Sequence, residues 1–313
     1  MNIIPNAPLF CDPVYNGAAD PTIIWNRQEQ SWWIFYTNRR AFGLNQGVSY
    51  YHGTDIGIAS SSDGGRTWIY RGTAQGLNYE PGRNTYWAPE ILEHEGVYHM
   101  YVSYVRGIPQ DWECPRSILH YTSRDLWNWN YESTLKLTSD RVIDACVIRL
   151  PDGKWKMWYK DEVHSSFSHT AYSEDLYHWT AGEAEITDVP HEGPNAFFFE
   201  NQYWMITDPW HGLGVYRSDD AQHWTRCPDI LREPGLRPDD GAIAAHADVL
   251  VHKGRAYIFY FSHPEVSEEE RNDPDFVWDE YRHRRSSLQV AELKLQNGVL
   301  VCDRNHVEID LEQ

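Results

Sequence analysis

A short turn leading into an aromatic-rich run occurs five times along this chain. The runs are QSWWIFYTN from Gln30, GVYHMYVSY from Gly96, GKWKMWYKDE from Gly153, NQYWMITDP from Asn201 and GRAYIFYFSH from Gly254. Each follows a second strand-like run: ADPTIIWN from Ala19, WAPEILEH from Trp87, IDACVIRL from Ile143, EGPNAFFFE from Glu192 and AHADVLVHK from Ala245. Aromatic and β-branched residues bounded by Gly, Asn and Asp read as strands, and each pair reads as a hairpin. A third run follows in each unit and ends, in the first four, in Ser-x-Asp, a turn and a tryptophan: Trp68, Trp129, Trp179 and Trp224. Ser and Asp side chains bind nearby backbone N–H groups and so fix such a turn. The fifth copy, SSLQVAEL from Ser286, lacks the Asp and the Trp. A repeat of this period with no long helical pattern predicts an all-β chain, a five-bladed β-propeller with four antiparallel strands per blade.

No linker or break in composition interrupts residues 1–313, so a single propeller domain is expected. Two insertions depart from the repeat. One lies near 38–55 (RRAFGLNQGVSYYHGTD, from Arg39) and one at 264–285 (PEVSEEERNDPDFVWDEYRHRR). Insertions in a propeller collect on one face, often the binding face. The acidic run Glu268–Glu270 reads as a solvated surface.

The innermost strand of every blade lines the axis, so equivalent positions in the first runs converge on one funnel. Aligned, they are Asp20, Glu90, Asp144, Glu192 and His246. Four acids and an imidazole in otherwise apolar strands are not core patterning, because carboxylates are rarely buried without a partner or a task. Pro21, Pro89 and Pro194 fit an inner edge, where no ladder N–H is needed. Crowded carboxylates raise one another's pKa, which supplies an acid at neutral pH beside an ionised base. That is the requirement of glycoside hydrolysis, in which one carboxylic acid protonates the leaving oxygen and one carboxylate activates water or attacks the sugar.

Composition narrows the partners. The formal net charge is −19, which repels phosphate backbones and anionic lipid. Nucleic acid and membrane are therefore not expected partners, and a neutral carbohydrate is. Aromatic residues make up 14% of the chain, with 15 Trp and 20 Tyr. Most serve as core, and the remainder suit the C–H faces of sugars. The start, MNIIPNAPLF, has no basic region followed by an apolar one, and the five cysteines (Cys11, Cys114, Cys146, Cys227, Cys302) form no paired or zinc-like spacing. A cytoplasmic, reducing location is the expectation.

At these residues the sequence resembles glycoside hydrolase family 43 and its five-bladed relatives. The resemblance implies roles residue by residue: Asp20 in ADPTI as general base, Asp144 in VIDACV as the residue that orients the acid and raises its pKa by like-charge repulsion, and Glu192 in HEGPNAF as general acid. YWAPEI, from Tyr86 to Ile91, is similar to the family's second-blade motif. The Asn-Asp-Pro-Asn, Arg-Asp-Pro and Glu-Cys motifs of sucrose- and fructan-cleaving propellers are absent, and HGTD (His52–Asp55) and RHRRSS (from Arg282) are not common family features. Both point to a divergent subgroup. Related neoagarooligosaccharide hydrolases use a His as proton donor, so His191 beside Glu192 stands as the alternative acid. Ser61-x-Asp63-x-Gly65-x-Thr67-Trp68 matches the Asp-box of sialidases and other propellers, a turn device.

Further candidates lie at predicted strand ends around the funnel. Asn38, Arg39, His52, Asp55, Trp87, Glu90, His191, Asp208 and His211 are candidate sugar contacts, with Lys160 and Asp161 placed to join them. Taken singly, each fits scaffold at least as well; as a group, some should bind hydroxyls. His246 fits equally a core imidazole and a residue beside a cation. With Asp248 two residues on, and so on the same strand face, it motivates an axial calcium or magnesium ion, although no cofactor is required. The leading reading is an inverting, exo-acting glycosidase acting on a small neutral sugar or a pentoside-like oligosaccharide end. A retaining sialidase-like hydrolase and a non-catalytic glycan-binding propeller are the alternatives.

Overall fold

The computed structural model describes residues 2–43 and 46–313. Five four-stranded antiparallel sheets follow one another along the chain, each built from consecutive strands. Blade 1 contains β1 (Ala18–Asn26), β2 (Ser31–Asn38), β3 (Ile56–Ser61) and β4 (Ile69–Thr73); blade 2 contains β5 (Thr85–His94), β6 (Val97–Val105), β7 (Arg116–Ser123) and β8 (Asn130–Thr134). Blade 3 contains β9 (Val142–Arg149), β10 (Trp155–Asp161), β11 (Phe167–Ser173) and β12 (Thr180–Ile186); blade 4 contains β13 (Glu192–Phe199), β14 (Gln202–Asp208), β15 (Leu213–Ser218) and β16 (Thr225–Ile230). Blade 5 contains β17 (Ala245–His252), β18 (Arg255–Ser262), β19 (Ser287–Gln296) and β20 (Val299–Cys302). The innermost strands touch in a closed ring, β1 to β5, β9, β13, β17 and back to β1. This is the five-bladed propeller that the repeat predicts. The second strands carry the apolar packing between blades, with Trp33, Phe35, Met100, Met157, Trp158, Trp204, Met205 and Phe259 wholly buried.

The Ser-x-Asp turns are structural. Ser61, Ser123, Ser173 and Ser218 each donate from Oγ to the Asp two residues on, at 2.8–3.2 Å. The Asp then accepts the N–H groups that close the turn before the tryptophan. The N-terminal segment runs along blade 5, where Ile3 pairs with Ile309 and Phe10 with Leu288.

One irregularity recurs and sets up the site. Every innermost strand slips register against its neighbour, at Ala19/Thr22, Trp87/Glu90, Trp158/Lys160 (opposite Asp144), Glu192/Asn195 and Ala245/Ala247. In four of these bulges one residue has left-handed backbone: Asp20 (φ 49), Ala88 (φ 43), Asp144 (φ 60) and Gly193 (φ 56). A bulge re-aims the side chain it carries and strengthens the local twist. The bulged N–H groups of Ala88, Asp144 and His246 bind side chains on the second strand of the preceding blade, Thr37 (2.8 Å), Ser103 (3.0 Å) and Asp208 (2.9 Å). Two residues further on, a second ring of bonds locks blade to blade. Glu90, Cys146, Asn195 and Asp248 accept from the N–H of Val147, Ala196, Val249 and Ile23 of the next blade, at 2.7, 3.1, 3.1 and 2.8 Å.

Candidate active site

The bulges correct the alignment of axial positions. Asp20, Asp144 and His246 occupy equivalent places, but blade 4 puts Gly193 there and blade 2 puts Ala88 there. Glu192 sits one residue before the bulge and Glu90 two after it. Gly193 suits its place, because a Cβ would lie 2.8 Å from Cγ of His246. Glu90, expected among the sugar contacts, belongs instead to the interblade ring and does not line the cavity.

Asp20, Asp144, Glu192, Asp208 and His246 line one cavity of about 420 Å³ at the funnel. His246 Nδ1 lies 3.7 Å from Asp20 Oδ1 and 3.9 Å from Asp144 Oδ2. Asp144 Oδ2 accepts the Gly193 N–H at 3.1 Å, which ties it to the residue after Glu192. Arg39 binds both oxygens of Asp20, at 2.8 and 3.1 Å, and its guanidinium stacks on Phe261 and Tyr51. Lys160 Nζ lies 3.1 Å from Glu192 and 3.2 Å from Glu162. Glu192 and Asp208 face each other across the β13–β14 ladder, where like charges oppose.

This crowding is resolved unequally. Burial pushes Asp144 up to about 6, with His246 opposing and Glu192 adding. Burial and then Glu192 push Asp208 up to about 7. Burial also acts to raise Glu192, but Lys160, His246 and Arg39 outweigh it and hold that carboxyl below its ordinary value. His246 is raised: burial works against its charge, and Asp144, Asp20, Glu192 and Asp208 overcome this. The expected rise of Glu192 through repulsion from Asp144 is thus reversed. The carboxyls of the cluster split, with Asp144 and Asp208 raised and Glu192 lowered, because Lys160 is close enough to stabilise the charge on Glu192.

The wall is aromatic. Trp87, Trp112, Trp210, Trp278, Tyr51 and Phe261 line it, and Trp87 Nε1 donates to the Tyr51 carbonyl at 2.6 Å. Both insertions reach the cavity. The first supplies Tyr51 from a single 3-10 turn (Ser49–Tyr51); its Leu44 and Asn45 lie outside the described residues. The second folds as α1 (Glu268–Asn272) and α2 (Tyr281–Arg284) and supplies Arg271 and Trp278. Glu268 and Glu269 are exposed, as a solvated run should be. Arg116 is also in the wall, paired with Glu162 at 2.8 Å. Arg271 differs from the other cavity cations: among the described residues no carboxylate pairs with its guanidinium, and burial pulls it below the usual value against the pull of Asp208. Sequence reasoning missed Trp112, Trp210, Trp278 and Arg271. For the three tryptophans the visible signal is an indole in a polar loop between strands; Arg271 carries none.

Other expected contacts lie elsewhere. His191 is wholly buried, with Nε2 2.6 Å from Ser168 Oγ and Nδ1 2.8 Å from the Val189 carbonyl. Both ring nitrogens are engaged by the protein, and His191 does not reach the cavity. His52 is buried behind the wall and packs on Trp87 and Trp112. Asn38 is buried at the end of β2. Asp55 pairs with Arg83 at 2.9 Å outside the cavity. His211 lines an adjoining cavity of about 260 Å³ that shares Ile243 and Arg271 with the funnel. Asp161 lies on the strand face opposite Lys160.

The residues on the axis do not fit the expected calcium or magnesium. A hard cation needs several oxygen ligands in one place, yet Asp248 is held in the interblade ring by the Ile23 N–H and the Asn195 amide, at 2.8 Å each, and does not line the cavity with His246. His246 Nδ1 already occupies the space between Asp20 and Asp144, 3.7 and 3.9 Å from their oxygens. No step below passes through a metal.

No protein-family model and no curated protein matches this chain. Solved structures do. A thermostable family-43 glycoside hydrolase superposes with a TM-score of 0.66 at 17% identity, over 95% of this chain and 97% of that one. A family-43 enzyme from Xanthomonas citri complexed with xylose gives 0.66 at 14%, over 91% and 89%. The chain has the fold of the family-43 glycoside hydrolases. A family-43 β-1,3-galactosidase with galactodeoxynojirimycin shares the same fold, with a TM-score of 0.63 at 16% identity over 93% and 95%. At these identities the likeness is one of fold, and the family-43 propeller is the frame in which this cavity is interpreted.

Proposed function

We propose that the protein is an inverting, exo-acting glycoside hydrolase whose carbohydrate substrate enters the axial cavity. The observation that carries this reading is the meeting of Asp20, Asp144 and Glu192, from blades 1, 3 and 4, in one aromatic-walled cavity. Asp20 is the general base. Arg39 aims it through its two hydrogen bonds, and the water it activates attacks the anomeric carbon. Glu192 is the general acid. Its proton comes from the cluster it shares with Asp144 and Asp208, and Lys160 withdraws as the leaving oxygen takes its place. Asp144 orients Glu192 through the Gly193 N–H. The indole wall stacks on the sugar face, and Arg271 meets hydroxyls near the cavity mouth. Xylose in one fold relative and a galactose mimic in another support a small neutral pentose or hexose.

A screen of 4-nitrophenyl glycosides, β-xyloside, α-arabinofuranoside and β-galactoside first, tests the reading. One of them should be cleaved with inversion, visible by proton NMR of the first-formed anomer, and Asp20→Asn should lower kcat by about three orders of magnitude or more with an unchanged circular dichroism spectrum. Retention of configuration would overturn the assignment of Asp20. The bidentate clamp of Arg39 on Asp20 favours one rival, a propeller that binds glycans without cleaving them. That rival gains if sugars bind and no glycoside turns over.

A further inference from the structure

We propose that Asp161, His164 and His169 form a site for a divalent transition metal, zinc above all, at the end of blade 3. One ligand atom from each lies within 4.8 Å of the others. Asp161 closes β10, His169 sits in β11 opposite Tyr159, and His164 occupies the turn between the two strands. Two imidazoles and a carboxylate are a zinc-type donor set.

Two observations single this cluster out. The first is His169, which is buried with neither ring nitrogen bonded to anything in the protein. A buried polar group left without a partner is costly and calls for an explanation, and a metal ion would satisfy one of these nitrogens. The second is a comparison within the chain. Asp175–His178, Asp220–His223 and Asp303–His306 make the same Asp-x-x-His turn, with the imidazole Nδ1 2.7–2.8 Å from the carboxylate. Those three turns are exposed, and among the described residues none gains a third ligand. The turn by itself is therefore a backbone device. At Asp161–His164 the same bond, 2.8 Å long, sits beside a buried, unpaired imidazole.

Zinc–nitrogen bonds of about 2.0–2.1 Å require the three atoms to draw together by roughly 1 Å. His164 is the residue free to move, since its side chain is half exposed, and water can complete the coordination. Asp161 Oδ1 is held by Ser139 and the N–H groups of Val163 and His164, and Oδ2 by Thr138 and the His164 ring, so the ion would take Oδ2 in exchange for the His164 ring contact. The opposite face of the hairpin presents Lys160, Glu162 and Ser166 to the cavity. The ion would therefore act as a structural clamp on one wall of the funnel and take no part in the chemistry.

The test is calorimetric titration of the chelator-treated full-length protein with zinc chloride, with cobalt chloride as a spectroscopic probe. Binding of one zinc per chain is expected, with a raised melting temperature and, for cobalt, the intense visible bands of a low-coordinate site. His164→Ala, at an exposed turn where folding is safe, and His169→Asn should each weaken binding at least tenfold, and His178→Ala should leave it unchanged. Absence of zinc binding at micromolar protein, or binding that both His164→Ala and His169→Asn leave intact, would overturn the proposal.

Discussion

Glu90→Gln separates a structural carboxyl from a sugar contact. Glu90 Oε1 accepts the Val147 N–H at 2.7 Å in the interblade ring. Burial, and then the neighbouring Asp248, push its carboxyl up from 4.5 to about 8. The folded value lies above the unfolded one, so the contribution of Glu90 to stability is fully present below about pH 4.5 and is lost as pH rises through 8. The full shift would correspond to on the order of 5 kcal/mol. Glu90 keeps intermediate exposure and its titration depends on the charge of Asp248, so about half of that, roughly 2–3 kcal/mol, is the realistic span. Glutamine keeps a carbonyl for the Val147 N–H and cannot ionise. Urea unfolding at pH 5, 7 and 9 should show the variant close to the parent at pH 5 and more stable than it by roughly 2–3 kcal/mol at pH 9. Under the proposed function, hydrolysis of the aryl-glycoside found in the screen should be unchanged. Parallel stability curves for the two proteins would refute the account of the buried charge, and a selective rise in KM would return Glu90 to the sugar contacts.

Lys160→Met removes the cation that holds Glu192 down, so the Glu192 pKa should rise and the alkaline limb of the kcat/KM profile should move to higher pH; a fixed limb would mean that Glu192 is not the acid. Arg271→Ala should raise KM about tenfold with kcat nearly unchanged, as expected when uniform binding is lost, and equal losses in both parameters would place Arg271 at the reacting centre instead.

The blade count and the order of strands were legible in the sequence because they rest on short-range physics. Alternation in runs such as SWWIFYTN, and the side-chain-to-backbone bonds of Ser-x-Asp turns, act over a few residues and repeat visibly. Asp20, Asp144 and Glu192 were legible for the same reason, as acids near the start of otherwise apolar strands. What each acid does was not legible. A one-residue bulge in every inner strand turns Asp20 and Asp144 toward the cavity, leaves Glu192 one residue before the bulge and carries Glu90 into the interblade ring, and nothing local in WAPEILEH distinguishes these outcomes. Pairing was equally hidden. Lys160 lies 32 residues from Glu192, and only the closing of blade 3 against blade 4 brings its charge within 3.1 Å and reverses the expected pKa. His191, next to Glu192 in the chain, faces Ser168 instead, because it lies just before β13, where its backbone N–H bonds to the Ser166 carbonyl of blade 3. Local pattern settled the fold, whereas the register and charge environment of each side chain depend on contacts between blades, which exist only once the ring has closed.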